Sequence, residues 1–134
     1  MHVFVSSLTN ASVVIDLDVI DPVRLPRELA ISAMTMAELA AGPHSTTDSA
    51  ERARRQDRLQ RAEATFEALP VDANVARAYG RVYAAVVAAG RKARGRRAID
   101  LFIAATAVAG DLPLFTRHPA DFAELSELLD VVAV

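Results

Sequence analysis

The sequence contains no cysteine among its 134 residues, so it can form neither a disulfide nor a thiolate zinc site. This composition fits a reducing compartment such as the cytoplasm. No apolar run approaches the roughly 18 residues that suggest a membrane span. The first seven residues also lack the basic segment and long apolar core of a secretory signal. We therefore expect a cytoplasmic protein that makes no contact with membranes.

An excess of positive charge is missing as well, since the net charge is −2. This value argues against a protein that binds nucleic acid over its whole surface, so any RNA contact must come from local arginines. Apolar residues make up 52% of the chain and charged residues 24%, which is typical of a globular protein. The length and the lack of internal repeats predict a single domain over residues 1–134.

Short apolar runs alternate with helical patterns along the chain. The predicted strands cover residues 3–5, 29–34, 69–71, 113–116 and 131–134. The predicted helices cover residues 11–17, 35–42, 50–69, 73–89, 98–109 and 119–129. Asp72 is the expected N-cap of the fourth helix, and Gly90 is expected to end it. This alternation predicts an α/β protein, a three-layer α/β/α domain with a parallel sheet.

Three acids are predicted to lie in the first turns of helices: Glu38, Asp100 and Asp121. Helix starts that follow parallel strands meet at one edge of the sheet, where ligands bind. Converging carboxylates there would suit a hard divalent cation. Each acid also has a purely structural explanation. Glu38 could complete a capping box with Thr35. Asp100 and Asp121 could simply favour the positive ends of helix dipoles.

Two groups of arginines accompany these acids. Basic side chains lie just before Asp100, at Arg91, Lys92, Arg94, Arg96 and Arg97. They could bind RNA phosphates or form a solvated loop, and the sequence favours neither. The second group alternates with acids along residues 51–63. That pattern favours an exposed, salt-bridged helix face over RNA binding.

Four segments, taken in order, resemble the PIN-domain family and in particular the small VapC toxins. They are residues 10–16 (NASVVID), 34–39 (MTMAEL), 98–105 (AIDLFIAA) and 114–122 (LFTRHPADF). Their order and spacing match the family over essentially the whole chain. The resemblance supports the same α/β/α fold.

The resemblance also implies a function. VapC proteins are Mg²⁺- or Mn²⁺-dependent endoribonucleases that cut tRNA, rRNA or mRNA and are inhibited by a small VapB antitoxin. It implies a homodimer and catalytic roles for Glu38, Asp100 and Asp121. It further implies a metal site of Asp100, Asp121, Glu38 and Asn10. The implied RNA contacts are Arg96, Arg97, Arg117 and His118.

Asn10 departs from the family pattern, which has an acid at this position. Its carbonyl oxygen can coordinate a cation but brings no charge, and an N-cap role would also explain an asparagine there. One alternative is therefore a PIN-like domain that has lost catalysis and still binds antitoxin or RNA. A phosphoacceptor receiver domain is a further alternative. It requires a lysine after a late strand, whereas the only lysine here is Lys92.

Overall fold

The computed structural model describes residues 5–95 and 97–134. Its strands are β1 (Ser7–Thr9), β2 (Leu29–Ser32), β3 (Glu67–Leu69), β4 (Leu114–Thr116) and β5 (Val131–Ala133). They form a five-stranded sheet in the order β3-β2-β1-β4-β5, and every pairing is parallel. The α-helices are α1 (Ala11–Ile15), α2 (Ala33–Ala41), α3 (Ser49–Thr65), α4 (Ala73–Ala88) and α5 (Arg97–Gly110). Short 3-10 helices cover Pro22–Arg24, Gly42–Ser45 and Pro119–Leu125.

A separate apolar core covers each face of the sheet. Alternate residues of β2 point to opposite faces, so Ala30 packs with α4 and α5 on one side. Leu29 and Ile31 pack with α1, α2 and α3 on the other side. The helices therefore lie in two layers around a parallel sheet, and the predicted α/β/α fold is confirmed. Among the described residues, no helix is long and apolar enough to cross a membrane.

The first strand of the described residues lies after the strand predicted over residues 3–5. Residues 1–4 are outside the described part, and Val5 is not in a strand, whereas β1 spans Ser7–Thr9. This central strand is fully buried although two of its three residues are polar. Thr9 Oγ1 donates to the Phe115 carbonyl at 2.9 Å, and such a bond removes much of the cost of burying a hydroxyl. A prediction based on hydrophobicity alone therefore missed the polar strand β1.

The third helix is shorter than predicted. It ends at Thr65, because Phe66 adopts an extended conformation and buries its side chain in the core beside β2. The chain then continues as β3, whose Glu67 pairs with Ala30. Strand pairing thus overrides the helical pattern predicted over residues 66–69.

The segment after β4 also differs from the continuous helix predicted over residues 119–129. It forms a 3-10 helix interrupted at Phe122, whose φ of −120° and ψ of 15° are not helical. Phe122 is 1% exposed, so this break places its ring in the core. In contrast, the limits of α4 are as predicted: Asp72 accepts a hydrogen bond from the Val75 amide, and Gly90 follows with a φ of +74°.

Candidate functional site

Asn10 lies at the junction of β1 and α1 and is 8% exposed. It occupies the N-cap position as predicted, but its side chain does not cap the helix. Its Nδ2 donates instead to Thr116 Oγ1 at 3.2 Å, and its Oδ1 accepts a 2.6 Å hydrogen bond from Ser12 Oγ. The asparagine amide therefore connects the end of β1 to the end of the neighbouring strand β4.

Two hydroxyl groups hold the turn that follows β4. Ser12 Oγ accepts from the Arg117 amide at 3.1 Å, and Thr116 Oγ1 accepts from the His118 amide at 3.1 Å. Neither hydroxyl was predicted to be part of the site. The available signal was their position, because Thr116 ends β4 and Ser12 is in the first turn of the helix that follows β1, at the edge of the sheet where binding sites form.

Glu38 lies further into its helix than predicted. Ser32 is the N-cap of α2, and its Oγ accepts from the Met34 amide at 3.0 Å. Thr35 is buried inside the helix, so the predicted capping box with Glu38 does not form. Glu38 is consequently in the second turn and exposed. It lines a cleft of about 490 Å³ that also includes Ala11 at the start of α1.

Asp100 lies in the first turn of α5, as predicted, and its side chain is 36% exposed. Its Oδ2 is 3.6 Å from a terminal nitrogen of Arg97. Arg97 also forms an ion pair with Glu124, a residue that was not predicted to be near the site. The predicted RNA-binding residue Arg97 is thus only 16% exposed and contacts two carboxylates of its own chain.

Three further predicted site residues lie after β4. Asp121 is in the first turn of the 3-10 helix Pro119–Leu125 and is exposed, as is His118 just before it. Arg117 is partly buried: its Nε is 3.3 Å from Asp16 Oδ2, and its guanidinium also donates to the Val134 carbonyl. Arg96, a further predicted RNA contact, lies outside the described residues.

These contacts connect some of the predicted residues in two groups and do not form a closed metal site. Asn10 is joined to the end of β4, and Arg97 joins Asp100 to the 3-10 helix that carries Asp121. Within residues 5–95 and 97–134, no three Asp, Glu or His side chains are close enough to hold a metal ion. All the predicted ligands nevertheless offer hard oxygen donors. They fit an ion that keeps several water or phosphate oxygens, as Mg²⁺ commonly does.

The second arginine group forms ion pairs along α3. Arg55 and Arg54 donate to the two carboxylate oxygens of Glu51 at 2.8 and 2.9 Å, and these hydrogen bonds lower the pKa of Glu51. Arg61 Nε is 3.0 Å from Asp57 Oδ2. This helix surface therefore has the salt bridges that its alternating charges predict.

The sequence of this chain matches a known family. Residues 8–128 match the PIN domain. Ribonuclease VapC5 from Mycobacterium tuberculosis is 35% identical over 106 residues, which cover 79% of this chain and 75% of that protein.

Solved structures give the same result. VapBC-5 from Mycobacterium tuberculosis, a member of the VapBC family of toxin–antitoxin systems, superposes with a TM-score of 0.83 at 32% identity, covering 98% of this chain and all of that one. DNA-bound VapBC from Salmonella typhimurium gives a TM-score of 0.77 over 96% of this chain and 97% of that one, and its 18% identity shows the shared fold alone. The chain therefore belongs to the PIN-domain family and is related to the VapC ribonuclease toxins.

Proposed function

We propose that this protein is the toxin of a type II toxin–antitoxin system and acts as a Mg²⁺- or Mn²⁺-dependent endoribonuclease on tRNA, rRNA or mRNA. The observation that carries the proposal is the 35% identity to Ribonuclease VapC5 over three quarters of that protein's length. The exposed carboxylates of Glu38 and Asp121 and the partly exposed Asp100 supply the donor chemistry. Under this proposal residues 1–134 act as one catalytic domain in the cytoplasm.

Asp100, Asp121 and Glu38 would hold the metal ion, and Asn10 Oδ1 would be a neutral fourth donor. When bound, such an ion lowers the pKa of a water molecule and offsets charge on the phosphate. Ser12 and Thr116 fix the backbone that carries Arg117 and His118. The proposed RNA contacts are Arg96, Arg97, Arg117 and His118.

The test is cleavage of purified tRNA, rRNA and mRNA with Mn²⁺ or Mg²⁺, and with EDTA. We expect defined RNA fragments that disappear with EDTA and with Asp100→Asn. Asp111→Asn is the matched control, because Asp111 lies just beyond the opposite end of α5 and is exposed. Fragments that persist in Asp100→Asn at the native level would contradict the assignment of Asp100.

Asn10 supports a second candidate function, in which the domain binds antitoxin or RNA without cutting it. The asparagine amide uses its donor and its acceptor in a neutral hydrogen-bond network, so this corner of the site lacks the charge that the family pattern provides. RNA binding without fragments in Mn²⁺, combined with cleavage by Asn10→Asp, would favour this second function.

An exposed apolar surface near α1 supports an antitoxin partner. Ile15 is 50% exposed and Val19 is 73% exposed. Beside them, α1 and α3 border a groove of about 430 Å³ whose lining includes Leu17 and Phe66. An amphipathic helix can bury its apolar face in such a groove. We propose a VapB-like antitoxin as this partner and a homodimer as the assembly of the toxin itself.

Co-expression with the product of the neighbouring gene tests the partner. We expect the two proteins to purify together and Val19→Asp to weaken that association. Val87→Asp is the control, because Val87 is similarly exposed, at 51%, and belongs to α4, the helix that packs on the other face of the sheet. Sedimentation of the toxin alone tests the homodimer, and a monomer at every accessible concentration would contradict it.

A further inference from the structure

One arginine is placed between two carboxylates at the start of α5. Arg97 forms an ion pair with Glu124 through one terminal nitrogen, and its other terminal nitrogen is 3.6 Å from Asp100 Oδ2. Its guanidinium carbon also lies 5.8 Å from the centre of the Phe122 ring. The longer contact to Asp100 exceeds the length of a hydrogen bond, so Glu124 is the main partner of this guanidinium.

The two carboxylates differ strongly in their access to water. The Glu124 side chain is 5% exposed, and the Asp100 side chain is 36% exposed. A buried carboxylate needs a nearby cation far more than a hydrated one does. Arg91 provides a second positive charge, since its Nη1 is 3.7 Å from Glu124 Oε2. Glu124 therefore attracts the guanidinium groups of Arg97 and Arg91 and holds the Arg97 guanidinium away from Asp100.

The guanidinium is not fully bonded in this position. Within the described residues, neither Arg97 Nε nor Glu124 Oε2 has a hydrogen-bond partner, although both are buried. A fixed structural pair would normally satisfy these groups. The arginine thus has spare donor capacity and a second carboxylate within reach, so a modest change at Glu124 would let it move towards Asp100.

We propose that Arg97 competes with a divalent cation for Asp100, and that Glu124 is a positioning residue that keeps this guanidinium from closing on Asp100. Glu124 thereby weakens the competition between Arg97 and the divalent cation. This inference rests on the proposed function in one respect, because it takes Asp100 as a metal ligand. It assigns a role to Glu124 through Arg97 and requires no contact between Glu124 and the metal or RNA.

The test measures Mn²⁺ binding by calorimetry without RNA, well below the unfolding temperature of each variant. Glu124→Gln keeps the shape of the side chain but removes its charge, so Arg97 should shift to Asp100. We expect Mn²⁺ affinity to fall by about tenfold, the lower end of the range for residues that position metal ligands. Glu127→Gln is the matched control, since Glu127 is exposed and lies three residues further along.

A double variant separates this role from a loss of stability. Arg97→Met with Glu124→Leu replaces both charges by apolar groups of similar volume, a change that folded proteins often tolerate. Because the competing guanidinium is gone, Mn²⁺ affinity should be at least equal to that of the native protein. A purely structural pair predicts instead that both variants bind Mn²⁺ less well.

The proposal is overturned by native affinity in Glu124→Gln, by a double variant that binds as weakly as Glu124→Gln, or by absence of Mn²⁺ binding in both the native protein and the double variant. Binding by the double variant alone would support it, because the change would then have removed a competitor of the metal ion for Asp100. RNA cleavage is measured separately. If the native protein leaves RNA intact in Mn²⁺, the ribonuclease proposal fails, and this outcome is independent of the Mn²⁺ affinities.

Discussion

The Asn10 side chain donates a hydrogen bond from Nδ2 to Thr116 Oγ1 over 3.2 Å, joining residues that are 106 positions apart. Each residue lies where a strand ends, and the two strands are neighbours in the sheet. Thr116 Oγ1 also accepts from the His118 amide. A neutral amide thus links the β1–α1 junction to the turn that carries two predicted RNA contacts, Arg117 and His118.

Asn10→Asp should strengthen metal binding. The change adds a full negative charge at nearly constant volume, and one added charge near an ion is worth at least about 1 kcal/mol, roughly fivefold in Kd. We expect higher Mn²⁺ affinity by calorimetry and faster RNA cleavage. Without metal the variant should be less stable by about 1–3 kcal/mol, since the new carboxylate is buried and cannot donate to Thr116.

Asp100→Asn in the same background is the control for this prediction. Two groups that bind one ion do not contribute independently, so the second change should abolish the gain in affinity and cleavage. Unchanged Mn²⁺ binding and cleavage in Asn10→Asp would mean that Asn10 serves only as a hydrogen-bonded link between the strands.

Thr116→Val should destabilise the protein and disturb the turn after β4. The substitution leaves Asn10 Nδ2 and the His118 amide without their acceptor, and the buried Asn10 donor left unsatisfied costs about 1–3 kcal/mol. Urea unfolding should show this loss, and amide exchange at His118 should become faster. Thr116→Ser keeps the hydroxyl and should recover most of both, whereas equal losses in the two variants would assign the effect to packing of the methyl group.

The pKa of Glu51 should lie below that of an ordinary glutamate, because Arg55 and Arg54 hydrogen-bond its ionised form. A lowered pKa in the folded state means that this pair contributes stability above the unfolded pKa of about 4.3. The contribution is lost as the pH falls through the lower, folded value. NMR titration of the Glu51 side chain measures the shift, and Arg55→Gln should move the pKa back towards its ordinary value. An unchanged pKa in Arg55→Gln would contradict the stated cause.

Asp72→Ala should cost about 1 kcal/mol of stability, the usual value of an N-cap. Asp72 Oδ1 accepts from the Val75 amide at 3.0 Å at the start of α4. Thermal unfolding measures the loss. Asp72→Asn should be close to native, because asparagine caps about as well as aspartate, and equal losses in Asn and Ala would indicate a role for the charge instead.

The sequence by itself determined the fold class and the order of elements. Alternating apolar runs and helical patterns are local signals, and at α4 they also set the boundaries, through the Asp72 cap and Gly90. The four ordered motifs predicted the PIN-domain family, which the match over residues 8–128 confirms. That match also excludes the receiver-domain alternative. The metal ligands and RNA contacts stay predictions.

Tertiary structure decided what local patterns could not express. Polar Ser7 and Thr9 form the central strand because hydroxyls can be bonded inside the sheet, and Phe66 leaves the helical pattern to enter the core. The same holds for the site. Asn10 bonds to Thr116, and Glu124 pairs with Arg97 across 27 residues. No sequence spacing encodes these partners, because their distances depend on how the chain brings separate strand and helix ends together.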